Sequence, residues 1–324
     1  DLVHRWLGTG NLEIYTKDPK LFPSFASLVP HMKAELSETF SQSLLGGEPF
    51  KALFNPGYTF ANAALAKHYG LTGVSGDQLQ KVPTTARGGL LLSGAFLATW
   101  AHPDESNPVM RAVHLRRDFL CQDVPDPPPD VNISRTGKAG QIGTFLAAPT
   151  TTNRMAVQKL TEDPACSFCH AQIINPLGFG LEDFDAVGAP RTTDGKGNDI
   201  DASGALWSPT TQLHLQQDAN QPEARIEFKG GKGLAQLLAE DARVSSLTKA
   251  CVAKQVMSFA SGVDARAMGD GERKTVTALH PGEKDSYNCD VGRMVGVLST
   301  SSPRAMLEKL PTLSSVRFRK AWSR

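Results

Sequence analysis

Cys166–Arg191, CSFCHAQIINPLGFGLEDFDAVGAPR, is the stretch from which the rest of the chain can be read. It opens on Cys166-Ser167-Phe168-Cys169-His170, a CxxCH pattern of the kind that attaches haem c covalently. With five Cys and eight His among 324 residues, chance supplies about 0.002 such matches. The spacing has a chemical reason. Two thiols one helical turn apart add to the two haem vinyl groups, and the adjacent imidazole then lies under the iron as its proximal ligand. A thioredoxin-like CxxC needs a βαβ context, which TEDPA before the motif and AQIINP after it do not supply. A structural zinc site needs a second ligand pair, and the chain has no second CxxC.

The sixth iron position decides between electron passage and ligand activation. His102, in the polar loop Ala101-His102-Pro103-Asp104, can reach iron without distorting a helix, and Met110 and Met257 are the thioether alternatives. An open five-coordinate iron is the remaining reading. His170 is expected to donate its other ring nitrogen to a backbone carbonyl of the turn-rich loop Asn175–Gly178. Arg154 and Arg191 are candidate partners for a haem propionate, while Glu182, Asp183 and Asp185 are expected to hold the loop or to pair with Arg191.

Outward from the motif, apolar spacing predicts a helix over Phe25–Leu45, ended by Gly46-Gly47, and another over Tyr58–Tyr69, stopped by Gly70. His31 and His68 read as helix-face residues. Asn107-Pro108 opens a third helix running to Cys121, and PDPPP at 125–129 reads as an extended linker. Asp194-Gly195-Lys196-Gly197 predicts a hairpin, with two short strands over residues 190–207. Lys229–Gly233 reads as a turn before a helix over Leu234–Ala242, and the next helix spans Val244–Ala260. The basic tail holds Arg317, Arg319, Lys320 and Arg324.

Thirty-four Lys and Arg against 33 Asp and Glu give a net charge of +1, so no global field steers the protein to nucleic acid. No apolar run approaches the roughly 20 residues of a membrane span, so the protein is expected not to be integral to a membrane. The chain opens without Met and without a signal-peptide pattern, which reads as a piece of a longer precursor. Haem attachment to CxxCH takes place outside the bacterial cytoplasm, so a periplasmic or extracellular location is expected, where disulfides also form. Cys251 and Cys289, both in the C-terminal segment, are the expected pair, with Cys121 left over.

The block Cys166–Arg191 resembles the haem motif of the planctomycete-type cytochrome c family, CxxCHxxIDPLGFxLExFDAxGxxR, and the likeness continues through Ile200-Asp201-Ala202-Ser203-Gly204. Upstream, Tyr58–Gly70 looks like the family's preceding helical domain. Arg87-Gly88-Gly89-Leu90-Leu91 through Pro108-Val109-Met110-Arg111 looks like the start of its cytochrome domain, and Cys251–Gly262 like the start of its C-terminal domain. The sequence departs at Asn175, where the family usually has Asp, at Asn107 in place of Ser, and at Leu160, often His.

The resemblance implies a mainly α protein: a helical domain over 1–85, a cytochrome c-like haem domain with a small β-hairpin insert over 86–215, and a C-terminal helical domain over 216–324. It further implies one covalent haem c held by Cys166, Cys169 and His170, with Pro176, Leu177 and Arg191 as further haem contacts. His102 is the candidate sixth ligand, since the family often carries His in that loop. The function expected is exported electron transfer with a redox partner protein or a larger complex. The alternative is a haem enzyme, a peroxidase or oxidative dehydrogenase, with an open distal site and His102 as acid or base.

Overall fold

The computed structural model describes residues 2–124, 142–207, 225–268 and 279–317. The 125–129 linker and the tail beyond Arg317 lie outside them. The described chain is mainly helical, with two small antiparallel two-stranded sheets. Its longer helices are α2 (Phe25–Leu45), α10 (Gly230–Glu240), α11 (Ser245–Ser261) and α12 (Pro281–Thr300). Shorter ones are α1 (Leu2–Trp6), α3 (Ala63–Tyr69), α4 (Gly94–Thr99), α5 (Pro108–His114), α6 (Gly143–Ala147), α7 (Asn153–Leu160), α8 (Pro164–Cys169) and α9 (Asn175–Phe179). After α12 come α13 (Pro303–Lys309) and α14 (Ser314–Arg317). Among the described residues no helix is long and apolar enough to cross a membrane.

Helix α2 has the predicted bounds. Phe25, Leu28, Val29, Met32, Leu36 and Phe40 recur at three- and four-residue steps and form its buried stripe. Within that stripe Glu35 is 1% exposed. Its carboxylate accepts from Thr59 Oγ1 at 2.7 Å, Tyr69 Oη at 2.6 Å and Gly94 N at 3.2 Å, so the charge is satisfied by three separate elements. The predicted helix over Tyr58–Tyr69 is instead β1 (Tyr58–Ala61) followed by α3. Asn62 makes the break, because its side chain accepts from Leu65 N and caps α3. Strand β1 pairs with β2 (Gln80–Pro83). His31 and His68 are helix-surface residues as read, bonded to Asn62 and to Val187 O.

The helix predicted to run to Cys121 is α5 continued by a π-turn, Leu115–Phe119. The expected hairpin within 190–207 shrinks to an isolated bridge, Thr193 to Asp199, around the Asp194–Gly197 turn. The strand that follows, β3 (Ser203–Trp207), pairs with β4 (Arg225–Lys229) instead. Helix α10 begins at Gly230, four residues before the predicted start, since Asp183 Oδ2 accepts from Gly231 N and closes its first turn.

Arg111 and Arg116, on the face of α5 and its π-turn, are both 0% exposed. Arg111 donates to the carbonyls of Leu97, Leu181, Phe184 and Asp185, and so clips α4 to the segment after α9. A single hydrophobic cluster then extends from Val3 through Leu92, Leu177 and Leu234 to Leu313.

The disulfide differs from the expected one: Cys121 pairs with Cys251, and Cys289 is an exposed thiol. Both expected partners were in the C-terminal segment, but α11 packs against the π-turn that ends one residue before Leu120, which brings Cys251 to Cys121 with Cα atoms 5.2 Å apart. The bridge closes 130 residues of sequence, worth about 5 kcal/mol on the chain-entropy account. The double variant Cys121→Ser/Cys251→Ser should lose about 2–5 kcal/mol in urea unfolding, whereas Cys289→Ser should unfold like the parent.

Candidate functional site

The CxxCH segment is built as one helical run with a widened turn in its middle. Asp163 accepts from Ala165 N and Pro164 occupies the first helical position, a combination that starts α8. Cys166 and Cys169 follow one turn apart, neither in a disulfide. Burial, and then the neighbouring Cys166, push the Cys169 thiol pKa up. From His170 to Ile174 the helix widens to a π-turn and then tightens again into α9. Such widenings cluster at functional positions, because they re-aim side chains that a regular helix would hold in register.

His170 Nδ1 lies 2.9 Å from Asn175 Oδ1, Asn175 Nδ2 donates to Thr161 Oγ1 at 2.9 Å, and Thr161 Oγ1 donates to Val157 O at 2.7 Å. The directions are forced from the far end. The Thr161 hydroxyl spends its proton on Val157 O, so it accepts from the Asn175 amide nitrogen, and Asn175 must then present its oxygen to His170. Nδ1 therefore carries a proton, and in the neutral imidazole the lone pair is then on Nε2. The reading from sequence placed a backbone carbonyl of a loop in this role. The structure uses the Asn175 side chain, on a helix and 4% exposed.

Behind the π-turn, Arg116 donates from Nε to Ile173 O at 3.0 Å and from Nη2 to Trp207 O at 2.9 Å, tying the segment to β3. Its Nη1 goes to Gln122 Oε1 at 2.7 Å. Among the described residues no carboxylate pairs with it, and burial lowers its pKa to about 9. Gly178 explains part of the NPLGF pattern: a Cβ there would collide with the backbone of Pro108, so its absence lets α9 lie directly on α5.

Beside the segment is a cleft of about 660 Å³. Ser167, Ala171 and Asn175, four residues apart, form one wall, and Trp207 and Phe228 of the β3–β4 sheet form another. Pro176 lines this cleft, and so does Arg154, whose guanidinium stacks on Phe179 at 4.4 Å. Leu177 is fully buried in the core. Arg191 is engaged elsewhere, with Glu105 at 2.6 Å, Ser106 at 2.8 Å and Glu182 at 3.3 Å. Glu182 thus serves as an Arg191 partner, one of the two uses read from sequence.

His102 sits in a loop closed by the Ala101–Ser106 bridge and held by Lys17, whose Nζ donates to Ala101 O and His102 O. Burial, reinforced by Arg111, brings the Lys17 pKa to about 8. Met110 is 37% exposed on α5, the helix packed on the π-turn, while Met257 is buried in α11. Among the described residues no group of three or more His, Cys, Asp or Glu side chains is placed to hold a metal ion. Thr161, Asn175 as a side chain, and Arg116 were missed as site residues. Only Asn175 carried a signal, as a departure from the family pattern.

The Asp183 pKa is pushed up to about 6, chiefly by burial, and one of its oxygens has no hydrogen-bond partner among the described residues. A folded-state value above the unfolded 3.8 means the native state holds the proton more tightly, so this group subtracts stability as pH rises from about 4 to about 6. Asp183→Asn should flatten that fall, adding up to about 3 kcal/mol at pH 7 in urea unfolding, with little effect at pH 3.5.

Residues 87–194 match a family model described as PSCyt3, a protein of unknown function (DUF1588), and residues 1–71 match one described as PSD4, a protein of unknown function (DUF1592). Both are domains characteristic of planctomycete cytochrome c-type proteins. No curated protein and no solved structure matches the chain significantly.

Proposed function

We propose that this chain is an exported monohaem c-type cytochrome that passes single electrons to a redox partner protein or within a larger exported complex. One observation carries the reading: the CxxCH histidine is fixed by the Asn175–Thr161 relay in the tautomer a haem ligand needs. The residues fit the group. Cys166 and Cys169 stand one turn apart for two thioethers, neither spent on a disulfide, and with Nδ1 held by Asn175 the neutral His170 would meet iron through Nε2.

Haem c, when bound, supplies the one-electron couple. The protein's own part is to orient His170, to exclude water behind it with Ile173, Ile174 and Leu177, and to set the charge around it. Arg116, a buried cation bonded to Ile173 O, disfavours a further positive charge and so favours the reduced state. Asn175 is neutral where an aspartate would push electron density onto the imidazole and favour the oxidised state. His102, on its Lys17-held loop, is the first candidate for the sixth position.

The test is the visible spectrum of periplasmically produced protein, oxidised, reduced, and reduced under carbon monoxide. Haem bands insensitive to carbon monoxide support electron transfer by a closed iron. Their absence overturns the proposal, and ready carbon monoxide binding turns it toward the haem enzyme with an open distal site. His102→Ala should open the iron to carbon monoxide; an unaltered low-spin spectrum removes His102 from the role. Asn175→Asp should lower the midpoint potential by on the order of 60 mV, a tenfold change for a one-electron couple, in a spectroelectrochemical titration.

A further inference from the structure

A second cleft, of about 470 Å³, lies between α1, the π-turn after α5, and the end of α11. It takes no part in the reading above. Three arginines line it, Arg5, Arg117 and Arg266, together with two carboxylates, Asp118 and Asp264. Arg266 is paired with Asp264 at 2.8 Å, and Asp118 lies buried against His114, with Oδ2 3.2 Å from Nδ1. That leaves Arg117 and Arg5 with no ion pair within 4 Å among the described residues, although Asp118 acts electrostatically on Arg117; the Arg117 Nε is shielded from solvent, so any contact to a ligand is through its terminal Nη atoms. A planar fork with open donors matches a tetrahedral or carboxylate oxyanion. Phe259, 49% exposed at the end of α11, lines the same cleft.

We propose that this cleft binds an oxyanion ester, a phosphate or sulfate carrying an apolar group. The anion sits on Arg117 and Arg5, and the apolar group lies against Phe259. Gln255 and Ser258, also on α11, supply neutral donors to the same space. No part of this requires haem, so the proposal stands or falls separately from the cytochrome reading.

The probes are phenyl phosphate, phenyl sulfate and inorganic phosphate, titrated calorimetrically into the whole chain with sodium chloride at matched ionic strength as the control. The phenyl esters should bind about fivefold more tightly than inorganic phosphate, and the preferred ester identifies phosphate or sulfate as the head group. Arg117→Gln and Arg5→Gln should each weaken both phenyl esters about tenfold. Phe259→Ala should bring them down to the level of inorganic phosphate. Arg5 is exposed, so its variant keeps the test informative if the Arg117 variant does not fold. No heat beyond the chloride control, or ester binding unchanged in Arg5→Gln, overturns the site. Equal affinity for inorganic phosphate and both esters overturns the role of Phe259.

Discussion

Two buried guanidiniums with no carboxylate partner among the described residues set the terms for the middle of this protein. Arg111 and Arg116 come off one short helical stretch; Arg111 is solvated by main-chain carbonyls, and Arg116 by two such carbonyls and the Gln122 side-chain oxygen. A buried cation is tolerable only when every donor finds an acceptor, so the positions of those carbonyls are constrained together. Arg111 holds the end of α4 and the turn after α9; Arg116 holds the π-turn and the edge of β3. The CxxCH segment therefore has its back fixed by charge solvation, and its front can be given over to chemistry. Glu35 does the same with the opposite sign in the N-terminal region, gathering Thr59, Tyr69 and Gly94 around one carboxylate.

Asn175 connects that scaffold to the proposed redox role. An aspartate in its place would accept from His170 equally well but would bring a second buried charge into a region that already holds Arg116. The amide keeps the geometry and removes the charge. Its orientation is not free, because Thr161 and Val157 determine which end faces the imidazole. The proton position on His170 is thus a consequence of helix α7, whose Val157 lies nine residues upstream of Cys166.

Much of this was legible from residues alone where local rules govern. Helix α2 shows its stripe in the spacing of Phe25, Leu28, Met32 and Leu36, and α11 ends where Gly262 turns left-handed. The reading failed where a distant partner decides. Tyr58–Ala61 has helical-looking spacing but finds a strand at Gln80–Pro83, and Ser203–Trp207 skips its local hairpin for Arg225–Lys229. The disulfide failed for the same reason, since proximity of Cys121 to Cys251 is a property of packing and not of spacing. Within the candidate site the thiols and imidazole were plain because their chemistry demands a local pattern. Thr161 and Arg116 were invisible because any polar residue on the right element could have filled their places.

The pairing of Cys121 with Cys251 encloses Cys166 and Cys169 within its loop. A chain emerging N-terminus first into an oxidising compartment exposes Cys121 long before its partner, and the next thiols to arrive are the two of the CxxCH pair. Consecutive pairing would consume them. If the chain matures as proposed, an order of events follows: the inner thiols must be kept reduced or already joined to haem when the outer bridge closes. On the proposed haem c reading, oxidative folding and haem attachment would be coupled by connectivity alone, whatever their separate rates.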